Sequence, residues 1–289
     1  MRSFPLPARE YISIENPISE ERSVLRQTLL PNMLDIVAAN VRYNKRVAMF
    51  EIGKVFLKRG AGEMQPNDLP EDVILPLEPR HLAIVLTGPR DVATWQQADT
   101  SPMDFYDLKG IVEDLGAGLH VSHFNFAPTT HPMLHPGRAA RLRIGEETVG
   151  VFGELHPLVR EKWELPQQAV LVGEFDLEKI LARTDARFIV KPISRYPAVV
   201  QDIALLVDEP VEAARVEALI RQMGSALLTN VRLFDVYRGA PLPQGKKSLA
   251  YTLTFQALDH VLSDTDAAKV RDKIVGRLKR EVGAELRSS

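Results

Sequence analysis

The run Leu233-Phe234-Asp235-Val236-Tyr237-Arg238-Gly239, followed after a short turn by Lys246-Lys247-Ser248-Leu249-Ala250-Tyr251-Thr252-Leu253-Thr254-Phe255, decides the fold. In the second half Leu249, Tyr251, Leu253 and Phe255 alternate with Ser248, Ala250, Thr252 and Thr254. That period of two predicts a strand with one face in a core and the other open. The first half pairs with it if Phe234 and Val236 point to the core. Asp235 and Tyr237 then share the open face with Ser248, so that a ring, a carboxylate and a hydroxyl lie on one shallow surface.

Working outward, Ile203, Leu205 and Val207 alternate in a strand ahead of Pro210, and Val216, Leu219, Ile220 and Met223 recur at helical spacing until Gly224. Beyond the hairpin, Ser263 or Asp264 can cap a helix carrying Val270, Ile274 and Leu278, which Gly283 ends. A short strand at Ala284 to Leu286 completes the order strand, helix, strand, strand, helix, strand. This is the ferredoxin-like βαββαβ plan with both helices on one face, a plan that serves many functions.

The 289 residues suit two domains, and 45% hydrophobic with 26% charged residues describes an ordinary globular chain. No apolar run reaches the roughly 20 residues of a membrane helix and no signal segment opens the chain, so a cytoplasmic protein without membrane partners is expected. The absence of cysteine excludes disulfides and thiol catalysis. A net charge of −2 argues against indiscriminate coating of nucleic acid. The charge is uneven, however: from Ser194 onward there are 14 Lys and Arg against 12 Asp and Glu, leaving 22 against 26 before it. Lys269, Arg271, Lys273, Arg277, Lys279 and Arg280 crowd the last predicted helix, as a solvated face would.

The first 192 residues read as a separate α+β domain. In the segment Tyr11 to Ser19 a strand is expected that stops at Asn16-Pro17, then a helix from about Asn32 to Tyr43 entered through Pro31, and strands at Ala48 to Phe56 and His81 to Thr87. A helix from Asp104 to Leu115, a hairpin turning at Gly145-Glu146, a strand at Val170 to Phe175 and a helix at Leu177 to Arg183 follow. Gln65 to Pro79 reads as a long surface loop. The break between domains falls near Phe188 to Ser194, giving domains 1–192 and 193–289.

Two constellations invite a chemical reading. His120, His123, His131 and His135 are spaced as two close pairs, but a zinc site needs convergent ligands and orienting carboxylates, and none lies between them. Gly239 to Ser248 looks like a phosphate loop, yet its spacing is wrong, Pro241 and Pro243 lack N–H groups, and it joins two strands instead of opening a helix. No nucleophile triad stands out, and Trp95 and Trp163 read as packing residues.

Arg195-Tyr196-Pro197, Gln201-Asp202-Ile203, Leu233 to Tyr237 and Gly245 to Ser248 resemble the ferredoxin-fold anticodon-binding domain that ends the β subunit of bacterial phenylalanyl-tRNA synthetase. Asn16-Pro17-Ile18-Ser19, Leu29-Leu30-Pro31, Phe50-Glu51-Ile52-Gly53, His135-Pro136-Gly137-Arg138 and Gly153-Glu154-Leu155-His156-Pro157 resemble the catalytic-like module of the same subunit. The resemblance implies a class II synthetase-like antiparallel sheet that does no chemistry. Where that fold holds ATP phosphates with arginines, this sequence offers Phe50-Glu51-Ile52-Gly53 and Phe175-Asp176-Leu177-Glu178-Lys179. In the family further domains precede this module, among them an editing and a magnesium-binding one, so a piece of a longer chain is implied.

The resemblance further implies a heterotetramer of two α and two β chains, with tRNA(Phe) as the RNA partner and no cofactor in this chain, ATP and Mg2+ belonging to the holoenzyme. It assigns Tyr237, Asp235 and Ser248 to the first anticodon base and leaves Arg195, Lys246 and Lys247 to the RNA backbone. The stripe Met33, Leu34, Val37 and Val41 is the expected subunit interface. Two rival readings are a protein-interaction scaffold that binds no RNA, and a metal-dependent hydrolase built on the histidines.

Overall fold

The computed structural model describes residues 10–19, 23–60, 75–121, 124–185 and 192–287. The chain divides into two compact units, Met1–Phe188 and Ile189–Ser289. Among the described residues no helix is long and apolar enough to cross a membrane.

The first unit is a six-stranded antiparallel sheet in the order β1-β2-β6-β5-β4-β3. Its elements are α1 (Leu30–Asn40), β1 (Val47–Lys54), β2 (Arg80–Thr87), α2 (Phe105–Gly118), β3 (Phe124–Pro128), β4 (Leu134–Ile144), β5 (Glu147–Leu155), α3 (Pro157–Lys162), β6 (Val170–Asp176) and α4 (Leu177–Leu181). Both faces are covered. One core joins α1 to Ala83, Val85, Val172 and Trp163, and the other joins α2 to Leu82, Ile84, Phe152 and Phe175. A buried central strand needs no alternation, which is why Leu82 to Thr87 reads as an unbroken buried run.

Several expectations change here. Among the described residues Tyr11 to Ser19 makes only an isolated bridge, between Ser13 and Val24. The helix α1 starts earlier and stops earlier than its apolar periodicity suggests, with Pro31 in its first turn and Val41 as its C-cap. Met33, Leu34 and Val37 are 0–1% exposed and Val41 is packed against the same core. That stripe is therefore spent inside its own unit and cannot be a free subunit interface. What this corner leaves exposed is Ile36, Tyr43, Phe50 and Ile52, the last two on the outer strand β1.

The second unit consists of β7 (Val199–Asp208), α5 (Ala213–Met223), β8 (Leu228–Tyr237), β9 (Lys246–Phe255), α6 (Asp264–Val282) and β10 (Glu285–Leu286). The sheet order β10-β7-β9-β8, antiparallel throughout, is the ferredoxin-like arrangement. Ser263 caps α6 by accepting from the Asp266 N–H, and Gly283 ends it in a left-handed conformation at φ 63°. Both helices lie on the face formed by Ile203, Leu205, Val207, Leu249, Tyr251, Leu253 and Phe255. Tyr251 is wholly buried; its hydroxyl donates to the Ala213 carbonyl at 3.1 Å, and burial pushes its pKa up.

Candidate nucleic-acid interface

The uncovered face of the second sheet is set by a register shift. Val231 pairs with Leu253 and Leu233 with Tyr251, so β8 enters with its odd-numbered residues toward the helices. Between Leu233 and Asp235 the register slips, and beyond it Val236 pairs with Leu249 and Tyr237 with Ser248. One extra residue in a strand inverts the facing of all that follow. Asp235 and Tyr237 thus share the helix-free face with Ser248. Phe234 is the residue passed over by the shift and is 50% exposed, so it does not point to the core as its hydrophobicity suggested. Leu233 fills that place instead. Val236 keeps the core-side register but is also exposed, lying near the strand end.

Asp235 is exposed, and its side chain makes no hydrogen bond or ion pair with any described residue. The Tyr237 hydroxyl donates to the Ala240 carbonyl, which ties the ring to the turn after its own strand. Ser248 departs from expectation. It lies in the predicted row but is 3% exposed, enclosed between Tyr237 on β8 and Leu206 on β7.

The three expected phosphate cations also separate. Lys247 is buried, because odd-numbered residues of β9 face the helices, and its ammonium donates to the Glu209 carbonyl at 2.7 Å. It is no free surface charge. Lys246 is paired with Asp208 at 3.3 Å, a surface ion pair of the weak, solvent-screened kind. Arg195 is exposed, but Ser194 donates to the Ala257 carbonyl and Gln256 to the Tyr196 carbonyl, anchoring it at the Phe255 end of the sheet. Seven residue steps along β7, from Val199 to Leu206, separate that end from the Tyr237 row, a distance of roughly 23 Å at about 3.3 Å per residue.

The Gly239 to Ser248 loop joins β8 to β9 as a turn. Among the described residues no group of three or more His, Cys, Asp or Glu could hold a metal ion. Of the four histidines in question, His123 lies outside the described residues, and the His131 ring accepts from the Met133 N–H at 3.3 Å.

Sequence reading missed a different cluster. Glu174 on β6 accepts from the Thr28 hydroxyl, from the Leu29 N–H at 3.2 Å and from His81 Nδ1 at 2.8 Å. Its side chain is 10% exposed. A carboxylate can only accept, so the His81 proton sits on Nδ1. The group borders a cavity of about 340 Å³ that also meets Gln27, His131 and Asp176. Burial lowers the His131 pKa from its ordinary value, against the pull of Glu174. Partners 93 to 146 positions apart leave no local signal in a single sequence.

A split βαβ sheet with a bare face, an exposed carboxylate and an aromatic ring defines a candidate RNA-reading module, and residues 194–287 match the family model of the ferredoxin-fold anticodon binding domain. Residues 2–177 match that of the phenylalanyl tRNA synthetase beta chain CLM domain. The chain belongs to the phenylalanyl-tRNA synthetase beta chain family.

Curated relatives agree over nearly the whole chain. The phenylalanine–tRNA ligase beta subunit of Symbiobacterium thermophilum is 40% identical over 283 residues, covering 98% of this chain and 30% of that protein. Those of Lactiplantibacillus plantarum and Geobacillus kaustophilus are each 38% identical, covering 99% and 98% of this chain and 34% of theirs. The chain thus spans about a third of the length of these relatives. A solved pyrrolysyl-tRNA synthetase from Desulfitobacterium hafniense aligns over 57% of this chain and 51% of that one at 17% identity, with a TM-score of 0.41 too low to carry an argument.

Proposed function

We propose that the second unit binds the anticodon of a phenylalanine tRNA, stacking the first anticodon base on Tyr237 and reading its edge with Asp235. The observation that carries this reading is Asp235, an exposed carboxylate with no partner among the described residues, on the same sheet face as an aromatic ring. A ring can contribute about 1–3 kcal/mol per stacked base irrespective of its identity. A carboxylate accepts from a guanine edge and repels bases that present only acceptors. Ser248, buried in the same row, has a supporting place under the ring, and Lys246 contributes attraction to phosphate without sequence information.

The first unit is the non-catalytic partner of the alpha subunit in a two-plus-two assembly. Its sheet does not suit a nucleotide triphosphate: Glu51 is held by Arg26 at 2.9 Å, Glu178 by Arg80 at 2.6 Å, and Glu174 presents negative charge at the cavity. ATP and magnesium therefore belong to the alpha subunit in this reading, and the chain alone should show no phenylalanine-dependent ATP–pyrophosphate exchange. Phe50 and Ile52, exposed on the edge strand, replace the buried α1 stripe as candidate contacts with that partner.

The test is binding of the full chain to anticodon stem-loops that carry either the cognate or an altered first base. Asp235→Ala is expected to weaken the cognate complex by about fivefold to a hundredfold, at about 1–3 kcal/mol per read base, while changing the altered one little. Equal losses on both RNAs would reduce Asp235 to general surface charge. Indifference of both RNAs to every change on this face would favour the scaffold reading.

A further inference from the structure

The first sheet ends at β3, on the opposite edge from β1. Thr129, one residue past that strand, gives its N–H to the Ala139 carbonyl at 3.2 Å. Hydrogen-bonded pairs alternate along an antiparallel ladder, so Ala127 opposite Arg141 and Asn125 opposite Arg143 are bonded in the same way. The backbone groups of Phe124, Phe126 and Pro128 therefore turn outward, and no strand lies beside them among the described residues. Pro128 fits this place, because the N–H it lacks would face away from the ladder.

A cleft of about 870 Å³ follows this edge, between β3, the irregular first part of β4 and the start of α2. Its two sides differ. On the α2 side Phe126 and Phe105 both pack on Phe152, and the Tyr106 ring stands 74% exposed at the rim. On β4, Ala140 and Leu142 belong to the same core, so Arg141 between them points to the opposite side of the sheet. Its guanidinium makes no hydrogen bond or ion pair with any described residue. Lys109 and Arg138 also line the cleft, each already paired, with Glu113 and Glu154. The lining carboxylate, Asp104, accepts from the Tyr106 N–H and from Arg90 and is thereby taken up.

An open edge calls for an extended backbone, the aromatic rim for apolar side chains, and the uncompensated Arg141 for an acid. We propose that β3 is a docking edge for an extended segment of a partner protein in which apolar and acidic residues alternate. The segment adds one strand to the sheet, with its apolar side chains in the cleft beside Phe126 and Tyr106 and its carboxylates meeting Arg141 on the other face. Side chains of a strand alternate between faces, so a single register satisfies both sides. A nucleic-acid phosphate would also be drawn to Arg141, but it would leave the apolar wall and the outward backbone groups unanswered.

The experiment measures fluorescence anisotropy of a short labelled peptide of alternating valine and glutamate with the full chain at low salt. Saturable binding is expected, about tenfold weaker when lysine replaces glutamate. It should also be about tenfold weaker when every residue is N-methylated, a change that keeps the side chains and removes the backbone donors. Arg141→Glu should weaken the original peptide by about tenfold and Tyr106→Ala by about threefold, with the thermal unfolding of both variants unchanged. Absence of binding overturns the proposal. So does equal binding of the lysine or the N-methylated peptide, or an Arg141→Glu chain that binds as the wild type does. Labelled tRNA that loses affinity on Arg141→Glu while the peptide does not bind would make the cleft an RNA contact instead. The N-methyl comparison needs only the wild-type chain and is decisive even where a variant unfolds.

Discussion

Glu174 and Asp235 are both carboxylates on antiparallel sheets, yet one has all its work inside the chain and the other has none. Glu174 ties the segment ahead of α1 to β6 and fixes the His81 ring, so its lone pairs are taken up within the first unit. Asp235 stands on a face that no helix covers, and its carboxylate bonds to no described residue. The physical lesson is that a carboxylate's role follows from where its lone pairs are filled. When the protein fills them the group is structural, and removing it strands donors; when none is filled the group is available to a ligand, and removing it costs the fold little.

The largest expected effect tests that contrast on stability. Glu174→Ala strands the His81 and Leu29 donors and should cost about 3 kcal/mol in urea unfolding of the full chain. Asp235→Ala should shift the same transition by no more than about 0.5 kcal/mol. Similar costs for the two variants would break the comparison.

Adjacent lysines sharpen it at smaller scale. Lys247→Ala removes a buried donor from the Glu209 carbonyl and should destabilise the fold by about 1 kcal/mol. Lys246→Ala should leave stability nearly unchanged and flatten the logarithmic salt dependence of RNA binding by about 0.7. An unchanged salt slope would leave Lys246 with its Asp208 pair alone.

The smallest effect concerns pH. The lowered His131 pKa means that the unfolded chain takes up a proton before the folded one does. Stability from this group is thus complete above the ordinary imidazole pKa of 6.5 and falls as pH drops below it toward the folded value. His131→Gln should make the urea midpoint decline less between about pH 8 and about pH 5.5. An identical decline in the variant would remove His131 from the account.

Local pattern carried much of this protein. The alternation from Ser248 to Phe255, the helical spacing from Val216 to Met223, and the Ser263 and Gly283 helix boundaries are short-range features, and the ferredoxin-like order follows from them. The strand β3, the short helix α3 and the Thr28–Glu174–His81 cluster were not legible, because five or six residues show too little periodicity and the cluster's partners lie far apart in sequence. The α1 stripe was legible as apolar, but whether it faced a partner or its own core depended on the sheet that packs against it.

Strand β8 marks the boundary most sharply. The sequence by itself determined that an aromatic ring and a carboxylate two residues apart would share one side of a strand, since side chains alternate. It could not determine which side. Unbroken alternation from Val231 and Leu233 would have buried Asp235 and Tyr237 beneath the helices, and only the slip in pairing at Phe234 turns them outward. A register shift costs a strand one pairing and is stabilised by contacts on the neighbouring strand, here Tyr251 and Leu249, so it belongs to the tertiary structure and leaves no periodic trace in the chain.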